Sequence, residues 1–249
     1  MSFNILAVIL CAALITACIS GIFGMAGGLI FMGVLASFMG VVEAMVVHGI
    51  VLSISNSYRA YLLRNFIRWD IFWNMGIGAL PALGLLAFIA FIPSKGMLFL
   101  CLGLLPILLW VPKNWFSFDA QKPLHAIFCG FCVTGLNLVA GVAGPALDMF
   151  FVRTNMPREQ IVATKAVTMF SSHMMKIIYF GIPLLQANGG GHFPPLWFFA
   201  AALPLTMLGT FTGTNILKRL SDIGFRKYTK WLVSLVGLIY VVRGIALLG

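Results

Sequence analysis

The chain has 249 residues and a formal net charge of +10. It is 61% hydrophobic and 9% charged, where an ordinary soluble domain carries about 25% charged residues. A soluble globule of this size cannot hide that much apolar surface, so a soluble enzyme, a nucleic-acid binder and a disordered chain are excluded, and the excess of Lys and Arg in short loops reads as membrane topology.

A hydrocarbon core of ~30 Å asks for about 20 apolar residues per helix. Eight stretches of that kind predict helices near 3–22, 42–63, 70–92, 96–111, 122–140, 159–180, 195–217 and 229–248. Two shorter apolar pieces, 28–39 and 145–156, each follow a turn-forming cluster. The first is Gly21-Ile22-Phe23-Gly24-Met25-Ala26-Gly27-Gly28, the second Gly141-Val142-Ala143-Gly144-Pro145. Glycine and proline at that density break a helix. The predicted fold class is all-α, a polytopic membrane protein with broken short segments.

Cys11, Cys18, Cys101, Cys129 and Cys132 all lie in apolar runs, and their odd number gives no disulfide framework. Cys129-Gly130-Phe131-Cys132 is formally a redox spacing, but it lacks the strand-helix context of one and reads first as small residues packed between helices. Ile15-Thr16-Ala17-Cys18 imitates a lipoprotein cleavage site, yet the first basic residue is Arg59. The N-terminus is therefore read as a retained membrane segment.

The two clusters superimpose at an offset of 117 residues, with Gly24 on Gly141, Gly27 on Gly144 and Gly28 on Pro145. The same offset places His48 on Lys165, Ser55 on Ser172, Asn56 on His173 and Arg59 on Lys176. Identities are few, but the rare polar residues of apolar helices fall on one another, which predicts a duplicated unit. The division is 1–112 for the first repeat, 113–121 for a cytoplasmic linker and 122–249 for the second repeat.

Charge decides the relative direction of the copies. If each short piece is its own traverse, the loops at 64–70, 113–122, 153–158 and 218–230 share one face and hold eleven of the sixteen basic residues, against two, Lys95 and Arg243, on the other. The positive-inside rule then predicts inverted repeats with both termini outside. A helix of 12 residues covers about 18 Å, short of the core, so each glycine turn is recessed. Irregular backbone at that depth must line a cavity or be buried in protein.

His48, Ser55 and Arg59 share one face of a helix, and Lys165, Ser172 and Lys176 repeat the spacing, with Asn56 and His173 beside them. Basic residues in apolar helices are expensive and face a partner or a cavity. No acid stands on either stripe, and an anion would supply the missing charge. The N–H groups at Gly24, Gly27, Gly28, Gly141 and Gly144 suit an oxyanion, and Pro145 suits a first helical position. Two readings stay open for Arg59 and Lys176, which either line the site or snorkel to an interface. The glycines serve close helix packing on the alternative reading. Asp148 is a candidate for proton coupling or an ion-pair partner for Lys165. No metal cluster, Walker loop or Ser-His-Asp set is present, so neither a cofactor nor catalysis is expected.

The glycine-rich stretch after the first helix, its recurrence in the second half, Arg64-Asn65-Phe66-Ile67-Arg68-Trp69-Asp70 leading into Gly76-Ile77-Gly78-Ala79-Leu80-Pro81, and Val162-Ala163-Thr164-Lys165 together resemble the TauE/SafE sulfite exporter family. The resemblance implies a multi-pass permease of the plasma (inner) membrane for small sulfur-containing anions such as sulfite, thiosulfate or organosulfonates. It leaves a homo-oligomer open. Rival readings are a carrier of another small anion such as a carboxylate, and a membrane redox or sulfur-transfer enzyme using Cys129 and Cys132.

Overall fold

The computed structural model describes residues 1–23, 26–112, 118–186, 193–217 and 222–249, with backbone alone for 23, 217 and 222–230. Every regular element among them is helical. In chain order they are α1 (Phe3–Phe23), α2 (Ala26–Phe38), α3 (Val41–Leu62), a 3-10 turn (Arg64–Phe66), α4 (Trp69–Phe88), α5 (Lys95–Leu104) prolonged by a 3-10 stretch (Leu105–Leu109), α6 (Pro123–Val139), α7 (Gly144–Phe151), α8 (Arg158–Gln186), α9 (Leu196–Leu217) and α10 (Asp222–Ala246). Among the described residues α1, α3, α4 and α9 are long and apolar enough to cross a membrane, and α2, α5 with its 3-10 stretch, α6 and much of α10 are shorter apolar helices.

Large apolar side chains cover the outside. On α4, Trp73, Ile77, Leu80 and Phe88 are exposed, while Ile71, Met75, Gly78, Ala79 and Ala82 on the other face are buried. On α10, Trp231, Leu235, Leu238, Val242 and Ile245 are exposed. A soluble monomer does not present apolar patches of that extent. The interior in turn holds His48, Asn137, Ser172, His173 and Lys176, which is the distribution a bilayer selects.

Four helix pairs carry most of the packing: α1 with α9, α4 with α6, α3 with α8 and α5 with α10. Exchanging α1–α5 for α6–α10 in order maps this set onto itself, since α1·α9 becomes α6·α4 and the other two pairs return to themselves. Glycines let one pair approach closely: Gly96 lies against Gly244 and Gly103 against Gly237, so α5 and α10 run antiparallel. A Cβ on Gly103 would stand 2.6 Å from the Val241 nitrogen and 2.7 Å from the Gly237 oxygen. Without a hydrophobic drive between helices in lipid, such close backbone approach is what holds a pair together.

The second expected break is present, between α6 and α7; the first falls at residues 24 and 25, outside the described residues, and beyond it Gly27 of α2 lies back against Thr16 and Ser20 of α1. At the second, Gly141 takes φ of +74°, and Met32 of α2 packs against it. The Ala120 nitrogen donates to the Phe150 oxygen at 2.9 Å and the Asn155 nitrogen to Gln121 Oε1 at 3.1 Å. The chain before α6 therefore meets the end of α7, and the broken stretch goes out and comes back.

Three boundaries differ from expectation. The α8 helix continues past 180 to Gln186 through Pro183, held by buried Phe180 and Leu184 and by the Tyr179 hydroxyl, which lies 2.9 Å from the Leu86 oxygen and 2.7 Å from the Phe91 oxygen at the end of α4. The α10 helix begins at Asp222, inside the stretch expected to be loop. The α7 helix stops at Phe151, where the Thr154 hydroxyl donates to the Phe151 carbonyl at 2.9 Å. Asp70 lies inside the first turn of α4 and pairs through both oxygens with Arg68, at 2.9 and 2.6 Å.

Candidate functional site

The crossing of α3 and α8 brings polar residues of both repeats together. Lys176 Nζ donates to His48 Nδ1 at 2.8 Å, to Asn137 Oδ1 at 3.3 Å and to the Gly141 oxygen at 2.8 Å. These engage all three ammonium hydrogens. Since His48 accepts at Nδ1, its proton sits on Nε2, which donates to the Gly28 oxygen at 3.0 Å. One unbroken chain of hydrogen bonds thus joins the α2 break to the α7 break through the two basic side chains.

Around this chain Asn137 Nδ2 donates to Ser172 Oγ at 2.8 Å and lies 3.4 Å from His173 Nδ1. The His48 and His173 rings meet edge to face at 5.6 Å. His48, Asn137, His173 and Lys176 are all fully buried, and His173 Nε2 has no partner among the described residues. Lys176 therefore does not snorkel. A buried ammonium surrounded by neutral acceptors with no carboxylate in contact is costly unless a further anion compensates it, and a buried donor without an acceptor forfeits about 1–3 kcal/mol.

The other expected residues lie around this centre. Lys165 forms an ion pair with Asp148 of α7, both about one-third exposed or less. Arg59 is half-buried, its guanidinium makes no hydrogen bond or ion pair among the described residues, and it acts electrostatically on Lys165. The contact of His48 with Lys176 and the proximity of Lys165 to Arg59 are the same relation under the offset of 117. Ser55 Oγ is 3.0 Å from Thr210 Oγ1 of α9. Asn56 turns back to its own helix, donating to the Leu52 oxygen at 2.9 Å, and stays out of the cluster. Gly27 and Gly28 lie in the first turn of α2, Gly27 against Thr16 and Ser20 of α1. Gly144 opens α7, with Pro145 second rather than first. Gly24 lies outside the described residues.

Two crevices flank the cluster. The first is lined by Ala13, Thr16, Ala17, Ser20, Gly27, Gly28, Val51, Ser55 and Thr206 among others, and the second by Gly130, Val133, Thr134, Thr168, Ser171 and Ser172 together with Met75 and Met175. The offset of 117 carries Ala13, Thr16, Ala17, Val51 and Ser55 onto Gly130, Val133, Thr134, Thr168 and Ser172, so the crevices are counterparts. His48 holds the carbonyl of Gly28 at the edge of the first. Ser172, whose oxygen is occupied by Asn137, keeps its hydroxyl hydrogen for the second. Sequence reasoning missed Asn137, and its signal is the position of a lone amide one turn before the break, matched by Ser20 in the first repeat.

Cys129 is buried and Cys132 half-buried, and both are free thiols. Among the described residues no group of three His, Cys, Asp or Glu is placed to hold a metal ion.

A family model described as Sulfite exporter TauE/SafE matches residues 9–240. No curated protein and no solved structure matches the chain. The match spans both breaks, both basic stripes and the helices that carry them, and the chain belongs to the TauE/SafE sulfite exporter family, whose members are membrane transporters of sulfur anions.

Proposed function

We propose that this protein moves small sulfur-containing anions, such as sulfite, thiosulfate or organosulfonates, across the plasma membrane by alternating access, and that it is not an enzyme. The observation that carries this reading is the buried Lys176, His48 and His173 cluster, free of carboxylate contacts and strung between the two helix breaks. The anion enters along one crevice, accepts from His173 Nε2 and the Ser172 hydroxyl, draws on the positive potential of Lys176, Arg59 and Lys165, and leaves along the other. The backbone near Gly24 to Gly28 and Gly141 to Pro145 closes over it. Rocking of 1–112 against 122–249 exposes the site to each face in turn. The exchange symmetry of the helix pairs, with the counterparts α5 and α10 antiparallel, supports inverted repeats, and the charges of the loops support both termini outside.

The test is flux into proteoliposomes of radiolabelled sulfite, thiosulfate and methanesulfonate, with acetate as the carboxylate arm. The sulfur anions are expected to enter, and Lys176→Ala to slow them by at least about tenfold, through loss of a buried positive charge that balances the anion. Entry of acetate alone overturns the cargo class. Sulfite flux unchanged in both Lys176→Ala and a Lys165→Ala, Arg59→Ala pair overturns the site.

A further inference from the structure

Lys176 is the ammonium at the centre of the cluster, and no acid among the described residues contacts it. From α3 it meets His48, from α6 Asn137 and from the second break the Gly141 carbonyl; His173 stands on its own helix. Arg59 of α3 and Lys165 of α8, farther along the same pair, add positive charge, and Asp148 of α7 is engaged by Lys165. From α4, which also packs on α8, the acid is Asp70, held by Arg68.

Two states follow from the valences. As an ammonium, Lys176 donates to His48 Nδ1, and His48 keeps its proton on Nε2 for the Gly28 carbonyl. As a neutral amine, Nζ keeps two hydrogens, enough for Asn137 Oδ1 and the Gly141 oxygen, and turns a lone pair on the lone pair of His48 Nδ1. That repulsion disappears when the His48 proton moves to Nδ1, which leaves the Gly28 carbonyl without its donor. Proton loss at one helix is thereby felt in the first turn of α2.

We propose that Lys176 carries the coupling proton of transport: its amine takes one proton from water with each anion bound and returns it when the anion leaves, and the His48 tautomer passes the change to the α2 break. The proposal rests on the transport reading above. The Nζ lone pair forms the N–H bond on uptake and recovers it on release, so no other reactant is needed. An anion beside His173 favours the ammonium, and the ammonium favours the anion to the same extent, because the coupling is reciprocal. The ion pair of Asp148 with Lys165 leaves this role to Lys176.

The experiment uses the full-length protein in proteoliposomes filled with a pH-reporting dye, and methanesulfonate and thiosulfate as probes, neither of which takes up a proton near neutrality. One proton is expected to enter with each anion, and an inward pH gradient of one unit should accumulate methanesulfonate about tenfold. In Lys176→Arg, whose guanidinium stays charged, proton entry and this accumulation should vanish. Where that variant fails to fold, titration of the wild type in two buffers of different ionisation heat decides, with one proton taken up per anion bound as the expected value. Anion entry without acidification, no proton uptake on binding, or accumulation retained in Lys176→Arg overturns the coupling. Absence of any entry by either probe overturns the transport reading itself.

Discussion

His173 separates a structural from a functional reading of the cluster more cleanly than any neighbour. Its Nδ1 faces the Asn137 amide at 3.4 Å and its Nε2 is buried without a partner among the described residues. If the ring only fills space, His173→Phe removes an unsatisfied donor worth about 1–3 kcal/mol and gives a protein that melts at the same or higher temperature and transports normally. If Nε2 holds the anion, the same variant keeps its melting temperature but loses sulfite affinity by about tenfold or more, the worth of one hydrogen bond to a charged group. We expect the second pattern, read by thermal melting in detergent beside a binding isotherm. The ion pair of Lys165 with Asp148 yields a companion prediction. Asp148→Asn strands a basic group beside Arg59 and should impair both stability and flux. Adding Lys165→Gln should restore stability if the pair is a structural tie, while flux stays reduced by the lost charge. A double variant that folds and carries anions but no longer accumulates them under a pH gradient, measured in the same proteoliposomes, would return the proton role to Asp148.

Helix pairs are held by small residues, and this is testable by melting alone. Gly103 lies against the backbone of α10, whereas nothing stands within 4 Å of a Cβ built on Gly76 of α4. Gly103→Leu should force α5 from α10 and lower stability by about 1–3 kcal/mol or more, while Gly76→Ala should be neutral or stabilising by about 0.5–1 kcal/mol. Melting temperatures of the two variants check the pair, and equal effects would contradict it. Most helices were legible because apolar length is a direct consequence of bilayer thickness. The late turns of α8 and the early turns of α10 were not, because they depend on tertiary packing and on polar stretches that hydropathy cannot assign. The glycine pairs of α5 and α10 were equally hidden, since small residues signal an interface only once the facing helix is known. In the site, His48, Ser172, His173 and Lys176 stood out as polar residues in apolar helices. Asn137 did not, because its helix carries no Lys or Arg, and Asn56 stood out although its amide is spent on its own helix.

At the scale of the molecule, Lys95 and Arg243 are the two basic residues that oppose the expected charge asymmetry, and they share one place. Lys95 Nζ reaches the Met39 oxygen at 3.5 Å, and Arg243 donates to Ser37 Oγ at 2.6 Å and lies 4.6 Å over the Phe99 ring. Both therefore stand at the C-terminal end of α2, where the helix dipole favours cations, and have a local reason to be on a face that otherwise avoids them. The same contacts bring the end of α2 beside the end of α10, which accords with the inverted arrangement. The two arrangements also differ for the loops around residues 65 and 155: inverted repeats put both in the cytoplasm, and parallel repeats separate them. In a cysteine-free background, Asn65→Cys and Asn155→Cys should each resist a membrane-impermeant maleimide applied to intact cells and react after the membrane is opened. Labelling of one of the two from outside would mean that each broken stretch counts as a single crossing and that the copies run parallel. The eleven loop cations assigned to one side would then be divided between two, leaving the positive-inside rule without its asymmetry.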